Sequence, residues 1–553
     1  MPIGDGIMSM LDHYNAFEKN TANHVPLSPL TFIARTANVF PNRIGVVHGD
    51  RRYTWAEAFA RCRQLASGLN AIGIGKGDTV AIMAYNTPEM VECHYGVAAS
   101  GGVMNTINTR LDPDTVAYIL SHGEAKALIT DTAFSASVKA ALEILGADHG
   151  ITVIDIDDAM NTTGGERLGS MSYEDLLAKG DADAPWQLPE DEWDAMALNY
   201  TSGSTGRPKG VVYHHRGSHL MTMGTIADWQ MPHHLCYYYV VPLFHCNGWG
   251  HVWGVTAQAG TIICSRAITA KSVYDAIADH GVTHFGGAPI VLGMIVNALD
   301  EDRREFDHTV QVMTAGAPPP AAILEAIEGI GFNVTQVYGL TETYGHTVMC
   351  VWNEDWDEVD FSTRASIKAR QGVAMTLTES IVVLDAETGQ PVPRDGETIG
   401  EIGIQSNTIM KGYLKNPEAT EQAFINGYFR SGDLAVMHPN GYVEIKDRLK
   451  DIIISGGENI SSVEIEGVLH RHDAVAIAAV VAKPDDKWGE VPCAFVELKP
   501  GVSVTEDELI EFTRQHLAGF KRPKQVVFGT IPKTATGKLQ KFELRQMVKD
   551  GKV

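Results

Sequence analysis

Short runs of apolar and β-branched residues alternate with longer helix-like stretches from about residue 30 to residue 300. Strands are predicted over residues 79–83 and 127–130, and a helix is predicted over residues 55–71. This alternation is typical of βαβ units that build largely parallel sheets. We therefore expect an α/β fold for this part of the chain.

A different pattern begins near residue 380, where short strand candidates are separated by turns until about residue 445. The candidates are Ile381-Val-Val-Leu, Gly403-Ile and the segment Tyr442-Val-Glu-Ile, which follows a turn at Pro439-Asn-Gly441. Turn residues at such short intervals favour β-structure. The pattern predicts a small β-rich subdomain.

The pattern changes again after residue 450. It predicts a strand over residues 452–454, a turn at Gly456-Gly457, a helix over residues 462–469 and a strand over residues 476–481. The remaining length is enough for a separate small α+β domain. We therefore divide the chain into a large N-terminal domain, residues 1–449, and a small C-terminal domain, residues 450–553.

Composition and charge narrow the possible functions. At 553 residues the chain is too long for one hydrophobic core, and 44% hydrophobic with 20% charged residues is ordinary for an ordered globular protein. The formal net charge of −24 opposes nucleic-acid or membrane-surface binding, so an anionic nucleotide would need a local cationic site. The longest apolar run, residues 474–482, is too short to span a bilayer.

The seven cysteines are an odd number, are widely spread and contain no Cys-x-x-Cys pair. They indicate neither a disulfide framework nor a zinc site, and they favour a reducing compartment. The N-terminal segment lacks the basic residues of a secretory signal, and Gly551-Lys-Val is not a peroxisomal tripeptide. We expect a cytoplasmic protein.

The most informative segment is Tyr200-Thr-Ser-Gly-Ser-Thr-Gly-Arg-Pro-Lys-Gly210, which follows a predicted strand over residues 195–199. Its glycines let main-chain amides approach an anion closely, its hydroxyls can donate to phosphate oxygens, and Lys209 adds a positive charge. The other candidate phosphate-binding residues are Thr201, Ser202, Gly203, Ser204, Thr205 and Gly206. The segment predicts a phosphate-binding loop.

Two alternatives compete with this interpretation. A flexible Ser/Gly linker would not need Pro208 and Lys209 fixed behind the hydroxyl cluster at the end of a strand. A P-loop NTPase has the motif G-x-x-x-x-G-K-[ST], but here no Ser or Thr follows Lys209 to bind magnesium. Both alternatives are disfavoured.

The loop resembles the signature of the adenylate-forming superfamily, which contains acyl-CoA synthetases, adenylation domains of nonribosomal peptide synthetases and firefly-type luciferases. Further segments match the family in order over nearly the whole chain. They are Ala315-Gly316-Ala317-Pro318, Tyr338-Gly339-Leu-Thr341-Glu342-Thr343, Tyr428-Phe-Arg-Ser-Gly-Asp433, Asp447-Arg448-Leu-Lys450 and Ile531-Pro-Lys-Thr-Ala-Thr-Gly-Lys538.

The resemblance implies a nucleotide site and a catalytic set. The adenine pocket would be formed by Gly316, Ala317, Pro318, Tyr338 and Gly339, and the ribose would be held by Asp433 and Arg448. Thr341 would contact the α-phosphate and Glu342 would bind Mg²⁺. The catalytic residues would be Lys538, Thr201, Glu342 and His245. Taken alone, the Thr-Glu pair, Asp433 and Lys538 would be interpreted as solvated surface or turn residues.

The resemblance also implies how two reactions share one site. The carboxylate would attack ATP to give an acyl-adenylate, and the acyl group would then pass to coenzyme A. Between the steps the mobile C-terminal domain would rotate about Lys450, withdraw Lys538 and present Gly456 and Gly457 beside the pantetheine chain. ATP, Mg²⁺ and coenzyme A are the implied cofactors and co-substrates.

The segment Pro242-Leu-Phe-His245-Cys-Asn-Gly-Trp249 would line the acyl pocket together with Gly316, Ala317 and Pro318. It contains no aspartate to hold an ammonium group, which favours an uncharged organic acid over an amino acid. The segment is similar to medium-chain and aromatic acyl-CoA ligases and to 3-methylmercaptopropionate-CoA ligases. Core packing of Trp249 is the competing interpretation.

Three function classes remain at this point. They are a free acyl-CoA ligase, which we favour, an adenylation enzyme that loads a carrier protein, and a non-catalytic nucleotide-binding module. We expect small-molecule partners, no nucleic acid and no membrane span, and we allow for a homodimer.

Overall fold

The computed structural model describes residues 9–201, 207–316, 321–448, 450–456, 458–485, 487–534 and 539–553. The chain has an α/β fold with two large β-sheets, followed by smaller sheets towards the C-terminus, as the hydrophobic pattern predicts. Among the described residues, no helix combines the length and the apolar composition that crossing a membrane requires.

The strands are numbered in chain order. They are β1 (Ile44–His48), β2 (Arg51–Thr54), β3 (Thr79–Met83), β4 (Val103–Thr106), β5 (Ala125–Asp131), β6 (Thr152–Ile156), β7 (Met171–Ser172), β8 (Ala195–Tyr200), β9 (Gly210–His214), β10 (Cys236–Tyr238), β11 (Thr261–Ile263), β12 (His284–Gly287), β13 (Val310–Thr314), β14 (Phe332–Leu340), β15 (Gly345–Met349), β16 (Val373–Ala374), β17 (Thr378–Leu384), β18 (Gly400–Ser406), β19 (Gly412–Tyr413), β20 (Phe424–Ile425), β21 (Tyr428–Met437), β22 (Val443–Arg448), β23 (Ile453–Ser455), β24 (Glu458–Ile460), β25 (Val475–Asp485), β26 (Gly489–Leu498) and β27 (Gln525–Phe528).

The helices are numbered in the same way. They are α1 (Met10–Asn15), α2 (Leu30–Val39), α3 (Trp55–Ala71), α4 (Pro88–Ala99), α5 (Pro113–His122), α6 (Ser135–Leu145), α7 (Tyr173–Lys179), α8 (His215–Asp228), α9 (Cys246–Trp249), α10 (His251–Ala257), α11 (Ala270–His280), α12 (Pro289–Val296), α13 (Ala321–Glu328), α14 (Phe361–Lys368), α15 (Pro417–Gln422), α16 (Ser462–Leu469), α17 (Glu506–Arg514) and α18 (Lys541–Lys549). Short 3₁₀ turns lie at Thr132–Phe134, Asp300–Asp302, Thr341–Thr343, Glu354–Trp356 and Gly519–Lys521.

Two large sheets form the N-terminal part of the molecule. One has the strand order β19-β9-β8-β4-β3-β5-β6-β7 and the other the order β16-β15-β14-β13-β12-β10-β11-β1-β2. Strands β3 to β6 pair in parallel, as do β10 to β13, whereas the β8·β9 and β14·β15 pairs are antiparallel. The prediction of largely parallel sheets is confirmed, and antiparallel pairs join them towards the edges.

Two smaller sheets follow. The first has the strand order β17-β18-β21-β20 with β22 on β21, and it is the β-rich subdomain that the turn pattern predicts. The second has the order β24-β23-β26-β25 with β27 on β26. Along the chain, helices α16 and α17 alternate with the strands of this sheet. The last hundred or so residues therefore form an α+β unit, which has its own hydrophobic core.

The helix predicted over residues 55–71 shows why local sequence is enough for some elements. Thr54 accepts a hydrogen bond from the Glu57 amide, and the Glu57 side chain bonds back to the Thr54 amide, which forms a capping box. The face that carries Trp55, Leu65 and Leu69 is fully buried. Burial of this stripe and the cap together fix both the start and the rotation of the helix.

Candidate active site

The candidate phosphate loop lies between two antiparallel strands. Tyr200 at the end of β8 is opposite Gly210 at the start of β9. The Thr201 amide donates a hydrogen bond to the Lys209 carbonyl over 3.0 Å, which closes the loop at its base. A P-loop runs from a strand into a helix, whereas this loop connects two antiparallel strands. Ser202, Gly203, Ser204, Thr205 and Gly206 lie outside the described residues.

Lys209 is connected to Glu342 through Tyr413. The Lys209 ammonium lies 4.1 Å from the centroid of the Tyr413 ring, and the Tyr413 hydroxyl donates to Glu342 Oε1 over 2.8 Å. Tyr413 reaches this position because β19 pairs with β9, with Tyr413 opposite Val211. Sequence reasoning missed Tyr413, since this strand of two residues carries no motif. The structure thus brings Lys209 of the candidate phosphate loop and the candidate metal ligand Glu342 together.

Burial raises the pKa of Glu342, while the hydrogen bond from Tyr413 and the charge of Lys209 act in the opposite direction. A cation at this carboxylate would favour its ionised form further. Mg²⁺ prefers hard oxygen ligands and commonly uses one or two carboxylates together with substrate phosphates. Glu342 therefore fits a nucleotide-bound Mg²⁺. In the described part of the chain, no group of three His, Cys, Asp or Glu side chains could hold a metal without such a substrate.

Thr341 is held on two sides. Its carbonyl oxygen accepts a hydrogen bond of 2.6 Å from the Tyr213 hydroxyl, and its Oγ1 lies 3.7 Å from Cys246 Sγ, which donates to it. Burial raises the pKa of Cys246 to about 11, so the thiol is protonated and can donate at neutral pH. Cys246 directly follows His245 in residues 242–249, the segment predicted to line the acyl pocket, which we call the acyl motif. Thr341, which is predicted to contact the α-phosphate, therefore lies beside Cys246 of the acyl motif.

Asp433 and Arg448 are opposite each other on the antiparallel strands β21 and β22. The Tyr338 hydroxyl donates to Asp433 Oδ2 over 2.7 Å, and Arg448 Nε lies 3.7 Å from Asp433 Oδ1. Burial raises the pKa of Asp433, and the Arg448 charge and the Tyr338 hydrogen bond act against this rise. All three predicted nucleotide residues thus meet, and Tyr338 contributes its hydroxyl as well as its ring.

Gly316 and Gly339 of the predicted adenine pocket are glycine for different structural reasons. Gly316 follows β13 with a φ of +95°, and a Cβ there would meet nothing within 4 Å. At Gly339 a Cβ would lie 1.7 Å from the Gly345 carbonyl oxygen, so the approach of β15 to β14 alone excludes a side chain. Ala317 and Pro318 lie outside the described residues.

His245 precedes an unusual turn that carries the rest of the acyl motif. Burial lowers the pKa of His245 to about 4, so its imidazole is neutral at neutral pH. It can therefore offer a hydrogen bond or a packing surface, but it cannot act as a cationic clamp for a carboxylate. Trp249 is only 8% exposed and lies in the main hydrophobic core cluster.

The segment around Lys450 joins β22 to the C-terminal sheet. Lys450 is exposed, whereas the preceding Asp447 is buried and its Oδ2 accepts hydrogen bonds of 2.6 Å from both the amide and the hydroxyl of Ser462 in α16. Gly456 has a φ of +60°, and a Cβ there would lie 2.9 Å from the Trp488 ring. Gly457 and Lys538 lie outside the described residues.

Comparison with known proteins defines the class of this molecule. Residues 33–414 match the AMP-binding enzyme family, and residues 464–538 match the AMP-binding enzyme C-terminal domain. The chain is 47% identical to acetate–CoA ligase CCL3 of Humulus lupulus and 47% identical to the peroxisomal acetate/butyrate–CoA ligase AAE7 of Arabidopsis thaliana. It is 44% identical to the peroxisomal trans-cinnamate:CoA ligase of Petunia hybrida. Each match covers 96% of this chain, and it covers 96%, 96% and 95% of the three relatives.

Solved structures agree with this class. ATP-bound MatB from Rhodopseudomonas palustris matches with a TM-score of 0.81 at 25% identity, covering 94% of this chain and 99% of that structure. O-succinylbenzoate coenzyme A synthetase from Bacillus subtilis, in complex with ATP and magnesium ion, matches with a TM-score of 0.77 at 26% identity, covering 93% and 99%. The fold and the comparisons define an ATP-dependent acid–thiol ligase. The chain belongs to the AMP-binding enzyme family, in the acyl-CoA synthetase branch.

Proposed function

We propose that this enzyme activates a short- or medium-chain carboxylic acid, such as 3-methylmercaptopropionate or a medium-chain fatty acid, and transfers the acyl group to coenzyme A. The observation that carries the proposal is the contact between Cys246 and Thr341. It brings the acyl motif to the residue expected at the α-phosphate. A carboxylate held by the motif would therefore lie close to the phosphorus that it attacks.

In the first step, a carboxylate oxygen forms a bond to the α-phosphorus of ATP, and the bond to pyrophosphate breaks. Thr201 and Lys209 close the loop that would hold the phosphates, and Lys538 neutralises charge as the bond forms. Bound Mg²⁺, held by Glu342 and the phosphates, would offset the negative charge on pyrophosphate. Asp433 and Arg448 fix the ribose, while Gly316, Ala317, Pro318, Tyr338 and Gly339 form the adenine pocket.

In the second step, the thiol of coenzyme A loses its proton to solvent, its sulfur forms a bond to the acyl carbon, and the bond from that carbon to AMP breaks with the electron pair leaving on AMP. We assign the hinge to Lys450, at the boundary between residues 1–449 and 450–553. Rotation there would remove Lys538 and bring Gly456 and Gly457 to the pantetheine chain. The exposed position of Lys450 between β22 and the C-terminal sheet supports the hinge role, and the absence of a side chain at Gly456 fits a narrow channel.

The proposed substrate class rests on the neutral, largely closed acyl motif. His245 is uncharged, and the bulky Trp249 is packed at the other end of the motif. An uncharged wall disfavours a second ionised group on the acid, because a buried charge needs a partner. The names of the relatives, which act on acetate, butyrate, 2-methylpropanoate and cinnamate, support a small uncharged acid.

Free coenzyme A is preferred to a carrier protein as the acceptor because the named relatives are CoA ligases and match over 96% of this chain. The cytoplasmic location stays a prediction, and two of the relatives cited above are named as peroxisomal. The homodimer likewise stays a prediction.

A panel of acids tests the proposal. Acids from acetate to palmitate, with 3-methylmercaptopropionate and cinnamate, are incubated with ATP, Mg²⁺ and coenzyme A, and AMP and acyl-CoA are quantified. We expect the highest kcat/KM for acids of roughly three to eight chain atoms, because longer chains must displace packed side chains. A preference for palmitate over hexanoate would contradict the proposed substrate class.

A further inference from the structure

The acyl motif contains a run of left-handed backbone. Residues 246–250 all have positive φ, with values of +42°, +44°, +62°, +59° and +69° in order. Three of these residues, Cys246, Asn247 and Trp249, are not glycine, and left-handed backbone is unfavourable for non-glycine residues, least so for asparagine. A strained conformation of this kind persists only where the surroundings fix it.

The surroundings fix it through Asn247 and its neighbours. Asn247 Oδ1 accepts a hydrogen bond of 2.9 Å from Asn199, and Asn247 Nδ2 donates to Thr106 Oγ1 over 3.2 Å. The Gly248 carbonyl accepts a hydrogen bond of 3.0 Å from the Tyr239 hydroxyl. All of these groups are buried. The turn is therefore anchored to β4, β8 and the segment after β10, and it delivers Trp249 at a fixed place.

At that place the indole lies against Gly286 of β12. A Cβ on Gly286 would be 3.0 Å from Trp249 Cζ3, 3.1 Å from Cε3 and 3.1 Å from the Tyr237 hydroxyl. The φ of Gly286 is outside the left-handed region, so its backbone would accept alanine. The absence of a side chain at position 286 is thus explained by the room that the Trp249 indole and the Tyr237 hydroxyl occupy.

The wall beside the indole is closely packed. The rings of His251 and His346 stand edge-on to Trp249, with centroids 6.0 and 6.3 Å away. His251 is hydrogen-bonded to Tyr237 over 2.6 Å, and His346 to Thr225 over 3.0 Å. Both histidines are buried. These two rings leave a displaced indole little room on this side, so we expect it to move towards the proposed acyl pocket.

We propose that Gly286 is a specificity-positioning residue, which seats the indole of Trp249 and thereby sets the longest acyl chain that the enzyme accepts. This inference rests on the proposed acyl-CoA ligase function, with Trp249 at the end of the acyl pocket. It identifies the residue that sets the position of that end. Gly286 acts through Trp249 and makes no contact with the acid itself.

The test is Gly286→Ala, with Gly287→Ala as the matched control. Gly287 is the next residue of the same strand, and a Cβ there would make only ordinary contacts of 3.5–3.6 Å with Val291 and Val240. We expect Gly286→Ala to lower kcat/KM for hexanoate relative to acetate by about tenfold or more, since one methylene in a pocket discriminates by about 10–200-fold. Gly287→Ala should keep the wild-type ratio. The change should appear mainly in KM for the longer acids.

The double variant Gly286→Ala/Trp249→Leu keeps the test decisive even if Gly286→Ala does not fold. Leucine removes the indole but leaves the Tyr237 hydroxyl, so hexanoate activity equal to that of Trp249→Leu alone would assign the loss in Gly286→Ala to the indole. If Gly286→Ala caused an equal loss of hexanoate activity with Trp249 and with leucine at position 249, the inference would be overturned. So would a hexanoate-to-acetate ratio in folded Gly286→Ala that equals the wild-type ratio. Absence of acyl-CoA formation by the wild-type enzyme would instead refute the proposed function.

Discussion

Tyr413 donates a hydrogen bond to Glu342 over 2.8 Å, and its ring lies under the Lys209 ammonium. One side chain therefore connects the phosphate loop with the carboxylate proposed to bind Mg²⁺. The connection holds Lys209 and Glu342, which are distant in sequence and opposite in charge, close together at the proposed nucleotide site. It also makes the protonation of Glu342 sensitive to a residue that need not touch the substrate.

Tyr413→Phe should lower the rate of adenylation and move its acidic limb to higher pH. The hydrogen bond from Tyr413 lowers the pKa of Glu342, so its loss raises a pKa that burial already raises. Because the carboxylate must be ionised to bind Mg²⁺, activity should be lost at a higher pH as the pH falls. The pH profile of pyrophosphate release measures this, with Tyr14→Phe, at an exposed tyrosine, as the control. An unchanged acidic limb of the pH profile would contradict the proposal that ionised Glu342 binds Mg²⁺.

Lys538→Ala should abolish adenylation but spare thioester formation from supplied acyl-AMP. The lysine is proposed to stabilise charge only in the first step, and loss of such a group costs on the order of 10²-fold or more in rate. Single-turnover assays of each half-reaction measure the difference. Near-normal pyrophosphate release would remove Lys538 from the catalytic set. Lys552→Ala, at an exposed lysine near the end of the same domain, is the control.

Lys450→Pro should leave adenylation in place and block thioester formation. Proline fixes one backbone torsion at the proposed hinge, and the rotation between the two steps needs that torsion to change. The two half-reactions are measured separately on the same preparation. Equal loss of both would indicate misfolding or a mechanism without domain rotation.

Trp249→Ala should lengthen the preferred acyl chain. Each methylene that enters the space left by the indole would contribute about 0.8 kcal/mol. The shortest acids should bind more weakly, because they no longer contact the end of the pocket. The chain-length profile of kcat/KM measures both effects. A profile identical to that of the wild type would make Trp249 an ordinary core residue.

The fold was predictable because its elements carry local signals. The helix over residues 55–71 has a capping box and an apolar stripe, and the strands around residues 79–83 and 127–130 are apolar runs between turns. The α/β class and the family are confirmed. The small edge strand β19 carries no such signal, because it exists only through its pairing with β9.

Residues of the candidate site could be predicted only where one segment carries a motif. Thr341, Glu342, Asp433 and Arg448 belong to such segments, and the structure brings Asp433 and Arg448 together. Tyr413, Tyr213 and Gly286 were not predicted, since each matters through a contact between segments far apart in the chain. The left-handed turn at residues 246–250 was also not predicted, because Cys246 and Trp249 do not favour that conformation and the buried hydrogen bonds of Asn247 that hold the turn come from distant segments.

The central claim is that the acid is activated as an acyl-adenylate at the site where Cys246 meets Thr341. It is tested most directly with hexanoate labelled with ¹⁸O in both carboxylate oxygens, incubated with ATP, Mg²⁺ and coenzyme A. Mass spectrometry of the products follows the label. Attack on the α-phosphorus predicts one ¹⁸O atom in each AMP, one in the carbonyl of hexanoyl-CoA and none in pyrophosphate. Label in orthophosphate with formation of ADP, or unlabelled AMP beside hexanoyl-CoA, would contradict the account.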